Sequence, residues 1–441
     1  MLPARGRGNT RGGTPGTDWR HTLLAAGAGA AAALFATAVA RQFKTPNKSI
    51  RRPLHPVYAV TEEQFVRTMG GLLRPPVVRG NRVTTLYNGE QIFPAMLEAV
   101  RSAESTLTME TFIYWSGRTG RAFAEAIADR ARAGVRCHLL LDWLGSNRLD
   151  QESLGLMTDA GVQCERYHRH WWRVGRLNHR THRKLLVIDG RVGFTGGVGI
   201  ADEWNGHAQD PCHWRDNHYK IEGPVVAQLQ SAFTDNWLKA RHAVLHDAGY
   251  FPALTPAGDL RCQAFQSSPD EGSESMRLMY QLAITAARKS VRIATAYFVP
   301  DALSTQSLID ARRRGVAVEV MLPGRHIDTQ LVRHASRERW GPLLDAGVRV
   351  FEYQPTMFHA KCMVVDGAWT SIGSTNFDNR SFRLNDEANV NVFDNRFAAE
   401  QEAWYERDKA RCRELTFADW HGRSAVRKTL DKAADVIGSQ L

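Results

Sequence analysis

Two stretches of this 441-residue chain carry the same arrangement of reactive side chains: "HRKLLVIDG" from His182 and "HAKCMVVDG" from His359. In each, a histidine is followed two residues on by a lysine (Lys184, Lys361), and then by an aspartate (Asp189, Asp366) and a glycine. An imidazole can act as a nucleophile toward phosphorus or, near neutral pH, as a general acid. A neighbouring ammonium stabilises oxygens that gain negative charge. Two such pairs in one pocket would support a double displacement at a phosphate. One histidine attacks, the other protonates the leaving oxygen, and the lysines hold the non-bridging oxygens. A lone H-x-K before a strand is common, but here the match extends further. Seven residues beyond each aspartate a glycine opens a small-residue segment, "GGVG" at Gly196 and "GSTN" at Gly373. Gly196, Gly197, Ser374 and Asn376 are therefore candidate phosphate contacts.

Residues two apart in an extended chain face one side, so each histidine shares a face with its lysine. The apolar centres "LLVID" and "MVVDG" read as buried strands. Around them the chain alternates strand and helix twice. "STLTMETFIYW", "TGRAFAEAIADRARAGV" and "RCHLLLDW" are answered by "KSVRIATAYFVP", "LSTQSLIDARRRGV" and "AVEVMLPG". "DAGVQCERYH" from Asp159 is matched by "DAGVRVFEYQ" from Asp345. The period is far too long for a solenoid. The predicted fold is α/β: two pseudo-symmetric units, each a mixed sheet flanked by helices, with the site at their interface. The first unit spans 83–250 and the second, with C-terminal helices, 258–441. Gly/Pro-rich "HDAGYFPALTPAGD" reads as the connection, and 51–82 as a lead-in linker.

The net charge of +11 suits a polyanionic partner: nucleic acid, an anionic membrane or a phosphorylated substrate. Six cysteines are scattered without a C-x-x-C pair, which argues for buried reduced thiols over disulfides or zinc. Residues 1–50 differ in kind. An Arg/Gly-rich tail, read as disordered, precedes "TLLAAGAGAAAALFATAVA" (22–40), which carries no charge. As a helix this run would reach about 28 Å against a bilayer core of about 30 Å. It is read as a membrane anchor, with cleavage after "AVA" as the alternative. The first copy also holds an insertion, "HRHWWRVGRLNHRT", whose tryptophans and arginines suit a membrane interface. His168, His170, His179 and His182 have loop-like spacing and no companion carboxylate, so neither a metal nor any other cofactor is expected.

These motifs resemble the phospholipase D superfamily, whose signature is H-x-K-x-x-x-x-D followed by G-[GS]-x-N, usually present twice. "NHRTHRKLLVIDGRVGFTGG", "WRDNHYKIEGPVVAQLQSAFTDNW" and "FHAKCMVVDGAWTSIGSTNFDNRSFRLNDEANV" are most similar to bacterial cardiolipin synthases. The likeness runs from about 83 to the low 410s. It implies that His182, Lys184, Asp189, His359, Lys361 and Asp366 form the catalytic signature. Asp216 and Glu387 stand where the family carries supporting carboxylates, and orienting the histidines is the role expected of them. It also implies transfer of a phosphatidyl group through a phosphohistidine, with phosphatidylglycerol and a membrane surface as partners. No nucleic acid is expected, and the implied location is the bacterial inner membrane. One position departs: Gly199 replaces the first motif's asparagine, removing a donor. Hydrolysis of lipid or nucleic acid, and a catalytically weak membrane scaffold, remain open readings. The near-symmetric motifs do not decide which histidine attacks, nor the oligomeric state.

Overall fold

A computed structural model describes residues 50, 52–167, 179–269 and 275–436, with scattered residues between 23 and 37. The apolar run after each histidine forms a strand, Leu185–Ile188 or Cys362–Val365. Each turns back antiparallel on a second strand, Val192–Gly196 or Trp369–Gly373. The hairpin turns are built on the motif's Asp-Gly. Asp189 and Gly190 have φ of 53° and 63°, and Asp366 and Gly367 have φ of 55° and 63°. That is the mirror-image turn which Asp-Gly favours because both central residues need positive φ.

Each hairpin pairs with a strand that opens a parallel trio. In the first half the trio is Thr106–Thr111, Arg136–Asp142 and Gln163–Tyr167. In the second it is Ser290–Ala294, Ala317–Pro323 and Arg349–Tyr353. Parallel neighbours need long crossovers. Helices Arg118–Arg132 and Gln151–Asp159 supply them in one half, and Ala302–Arg313 and Gln330–Glu338 in the other. Toward the centre the hairpins meet Asn217–Glu222 and Asn385–Phe393, and then Val78–Tyr87 and Leu260–Ser267. These last two strands pair antiparallel, Val78 opposite Cys262. The two halves thus share one sixteen-stranded sheet with the same strand order outward from the seam. Cys412–Leu415 adds an edge strand in the second half, beside Arg349–Tyr353.

Strand alternation sorts the motif residues between cores. Leu185 and Val187 join Cys362 and Val364 in a core shared by both halves. Leu186 and Ile188 face a core of the first half, and Met363 and Val365 face one of the second. Both faces of these strands are buried, which explains their unbroken apolar character.

The 51–82 segment differs from its reading as a linker. It contains helix Glu63–Leu73, whose Phe65, Met69 and Leu73 recur at helical spacing and are buried in the second half's core. The Phe65 ring meets Trp369 edge-on at 6.0 Å. The predicted 22–40 anchor and the 168–181 insertion lie largely outside the described residues. Among the described residues no helix is long and apolar enough to cross a membrane.

Candidate active site

Each histidine is held by the opposite half of the molecule. Arg180–Thr181 pairs in parallel with Asn385–Asp386, and the His182 amide donates to the Asp386 carbonyl at 2.9 Å. Reciprocally, Arg215 bridges Phe358, and the His359 amide donates to the Arg215 carbonyl at 2.7 Å. The next residue along each receiving strand is a carboxylate aimed at the imidazole. His182 Nδ1 lies 2.9 and 3.0 Å from the Glu387 oxygens, and His359 Nδ1 lies 2.8 Å from Asp216 Oδ2. The arrangement is crossed: the first half's acid serves the second half's histidine, and the reverse. An Nδ1–H donated to carboxylate leaves the lone pair on Nε2, the nucleophilic or proton-accepting position.

The carboxylates are themselves anchored. The Ser374 hydroxyl donates to Glu387 at 2.5 Å. Asp216 accepts from the Trp204 indole at 2.9 Å and from the Asn217 amide at 2.8 Å. Burial pushes both acids up, but the adjacent imidazole and ammonium groups outweigh it and hold both below the ordinary carboxylate range. They stay ionised. Burial also lowers His182 to about 4 and His359 to about 3, with the nearby lysines adding to the effect. The resting imidazoles are neutral.

Lys184 donates to the His182 carbonyl at 2.9 Å, and Lys361 to the His359 carbonyl at 2.5 Å. Burial lowers Lys184 to about 7 and Lys361 to about 8, with repulsion from Lys361 contributing at Lys184. An anion placed between these groups would relieve the repulsion and raise all four. Arg183, between His182 and Lys184 in sequence, points the other way. Fully buried, it donates to the carbonyls of Ala232 at 2.6 Å and Ser267 at 3.2 Å, stitching the halves together.

His182, Lys184, His359 and Asn376 line one cavity of about 260 Å³, with Phe112 and Tyr297 on its wall. The Asn376 Oδ1 is buried without a hydrogen-bond partner, so this amide can accept from a hydroxyl of a bound molecule. Three sequence expectations need correction. Asp189 and Asp366 do not line the cavity. Each accepts three consecutive backbone amides, Glu104 to Thr106 and Arg288 to Ser290, at 2.7–3.0 Å. They tie the hairpin turn to the adjacent strand, roughly 15 Å of extended chain from the lysines. Gly196 and Gly197 are not lining residues either. A Cβ at Gly197 would fall 2.2 Å from the Asp216 carboxylate, so this glycine makes room for the acid. Ser374 contacts Glu387 and is not a cavity-lining residue.

The structure also places residues at the site that the motifs did not indicate. Arg180 lines the cavity with Nε and Nη1 unpartnered, and Arg380 and Asp328 stand on the same wall. Trp204 and Trp214 pack against the His359 ring, both at 5.4 Å. Arg180 was within reach of sequence reasoning, since it precedes His182 by two in an extended segment. Trp204 had no comparable signal. Among the described residues no group of three or more His, Cys, Asp or Glu is arranged to hold a metal ion, and His168 and His170 lie outside them.

Two duplicated α/β halves that meet at a cationic cavity with paired imidazoles define a phosphodiester-processing enzyme of the phospholipase D type. The family model described as "Cardiolipin synthase, PLD-like domain" matches residues 96–237 and 281–409. Cardiolipin synthase A of Pseudomonas fluorescens (strain Pf-5) is 36% identical over 352 residues, covering 79% of this chain and 73% of that one. Cardiolipin synthase A of Pseudomonas putida (strain GB-1) is 36% identical over 356 residues, covering 80% and 74%. Phosphatidylserine synthase of Haemophilus influenzae shares the fold, with a TM-score of 0.65 at 14% identity, covering 86% of this chain and all of that one. The chain belongs to the PLD-like cardiolipin synthase family and is a phosphatidyltransferase of the phospholipase D superfamily.

Proposed function

We propose that this phosphatidyltransferase makes cardiolipin from two phosphatidylglycerol molecules through a phosphohistidine, at the bacterial inner membrane. Nε2 of one histidine attacks the donor phosphorus. The second histidine takes up a proton from solvent as the bound phosphate anion raises its proton affinity; the bond from phosphorus to the headgroup glycerol oxygen then breaks, and this imidazolium protonates that oxygen. Glycerol leaves. The hydroxyl of the acceptor lipid then attacks phosphorus, its proton passes to the second histidine, and the P–N bond breaks. Lys184 and the Asn376 amide nitrogen donate to the non-bridging oxygens from the cavity wall, and Lys361, held on the His359 carbonyl outside the lining, adds positive charge that stabilises each transition state. The crossed carboxylates keep each proton on Nδ1, so that both Nε2 atoms face the reaction.

The observation that carries this reading is the pair of imidazoles, each oriented by a carboxylate of the opposite half, facing one cavity with Lys184 and Asn376. Arg180, with unpartnered nitrogens in the cavity wall, suits a second phosphate such as an acceptor lipid brings. The uncharged 22–40 run supports work at a membrane. The test is incubation of purified protein with phosphatidylglycerol vesicles and identification of the products. Cardiolipin plus free glycerol is expected. Phosphatidate as the sole product would make water the acceptor and overturn the transferase assignment.

A further inference from the structure

A second cationic cavity lies beside the catalytic one and belongs to no step of the chemistry. It has a volume of about 430 Å³ and is lined by Arg325, Arg333, Arg337, Arg413, Arg423 and Arg427. Four carboxylates answer these arginines. Glu352 pairs with Arg333 at 2.9 Å and lies 3.6 Å from Arg337. Asp419 lies 3.7 Å from Arg413. Asp431 and Glu338 both pair with Arg423, and Asp431 also accepts from His334 at 2.6 Å. Arg325 and Arg427 have no carboxylate partner among the described residues. The Arg333 Nε is buried with no hydrogen-bond partner. The cavity therefore keeps a positive excess in a concave setting, where guanidinium forks suit phosphate oxygens.

Its surroundings identify the source of that phosphate. One wall is helix Ala425–Asp435, whose buried residues are only Asp431 and Ala434. Val426 and Leu430, one helical turn apart, are 70% and 51% exposed, and exposed Ala433 continues the stripe. Arg427, Lys428 and Lys432 flank it. Leu331 and Phe417 on neighbouring helices are also exposed. An apolar stripe edged by cations is the pattern of a helix lying in a bilayer interface. A soluble phosphate ester would have no use for it. The position fits as well. In the segment joining Ala317–Pro323 to Gln330–Glu338, Asp328 and Thr329 line the catalytic cavity, while Arg325 and the first helical residue, Gln330, line this one.

We propose that the arginine cavity binds the phosphate of an anionic phospholipid in the bilayer surface, with helix Ala425–Asp435 lying in the interface. The catalytic cavity is thereby held against the membrane that supplies its substrate. The inference rests on the lipid reading of function only in taking phospholipid as the anion's source.

The test uses the full chain carrying His182→Ala, so that binding is read without turnover and a failure of the transfer chemistry cannot mimic a failure here. Hydrogen–deuterium exchange is followed over 325–337 and 413–435. The probes are vesicles of phosphatidylcholine alone and of phosphatidylcholine mixed with phosphatidylglycerol, whose negative surface attracts basic segments. Protection of both segments by the mixed vesicles only is expected. Arg325→Gln/Arg413→Gln/Arg427→Gln should weaken vesicle binding on the order of tenfold or more, while the corresponding triple lysine variant, a control for folding, retains it. Absence of protection in these segments overturns the proposal. So does equal protection by inorganic phosphate without vesicles, which would make this a free-anion site, or by a DNA duplex, which would make it a nucleic-acid surface.

Discussion

The two halves of the molecule match where the reacting groups are and diverge where the phosphate oxygens would rest. Each contributes an imidazole, an ammonium and a buried carboxylate, and each lends its carboxylate to the other half. Beyond that they differ. The second half presents Asn376 to the cavity and supports Glu387 with the Ser374 hydroxyl. At the matching places the first half has Gly199 and Gly197, and the shorter Asp216 is supported by the Trp204 indole. The space an asparagine at 199 would need is occupied: a Cβ there would lie 2.8 Å from Ile113 Cβ and 3.2 Å from the Trp204 ring. The first half did not simply lose a donor; it filled the position with apolar packing. The symmetry of the fold thus carries an asymmetric phosphate cradle, with the side-chain amide on one side only.

The largest effect is expected where the halves are alike. His182→Ala and His359→Ala should each reduce cardiolipin formation by about 10⁴-fold or more, because both steps need both imidazoles. A near-normal rate in either, by lipid product analysis, would remove that residue from the mechanism. Next come the crossed carboxylates. Glu387→Gln and Asp216→Asn should each lower turnover by about 10²–10⁴-fold with KM little changed, since an amide no longer fixes the tautomer. Each should also shift the pH–rate profile, a change that a merely structural residue would not cause.

The cradle asymmetry predicts a smaller loss. Asn376→Ala should cost about 10²–10³ in kcat, as for one oxyanion donor, whereas Gly199→Ala should act mainly on stability. Gly199→Asn is expected to destabilise by about 1–3 kcal/mol through overpacking against Ile113 and Trp204, read as a lowered midpoint in a thermal melt. Equal kinetic effects at 199 and 376 would show that the cradle is symmetric after all. The smallest effect concerns pH. Both histidines are depressed from 6.5 to about 4 and about 3 in the folded state, so the unfolded chain binds more protons below 6.5. Their contribution to stability is present above that value and is lost as pH falls from about 6.5 toward 4. His182→Gln should flatten that part of the melting-temperature profile.

How much of this was legible in the sequence depended on whether the information was local. The duplicated strands, the histidine–lysine faces and the special character of Gly199 follow from two-residue periodicity and from comparing the copies. The aspartates belong to the catalytic signature by family resemblance, while their place past each strand already reads as structural. An extended strand carries them away from the cavity, and their task is the turn that positive φ at Asp-Gly already announced. Phe65, Met69 and Leu73 show the spacing of a buried helix, a signal obscured by the Pro- and Arg-rich residues around it. The crossing itself could not be read from one dimension. His182 and Glu387 are 205 residues apart, and it is the joining of the two halves, at the seam between Val78–Tyr87 and Leu260–Ser267 and at the pairing of Arg180–Thr181 with Asn385–Asp386, that brings them together. Trp204 reaches Asp216 from the short helical turn Asp202–Trp204; the matching turn of the second half, Asn379–Arg383, places Ser381 at the equivalent position.

The phosphohistidine is tested most directly by a single-turnover reaction with phosphatidylglycerol labelled at phosphorus, quenched in alkali and mapped by peptide. The label is predicted on one histidine, either His182 or His359, as an alkali-stable, acid-labile adduct, and it should vanish when that histidine is alanine. Cardiolipin formed at full rate with no labelled histidine, or label on any other side chain, would contradict it.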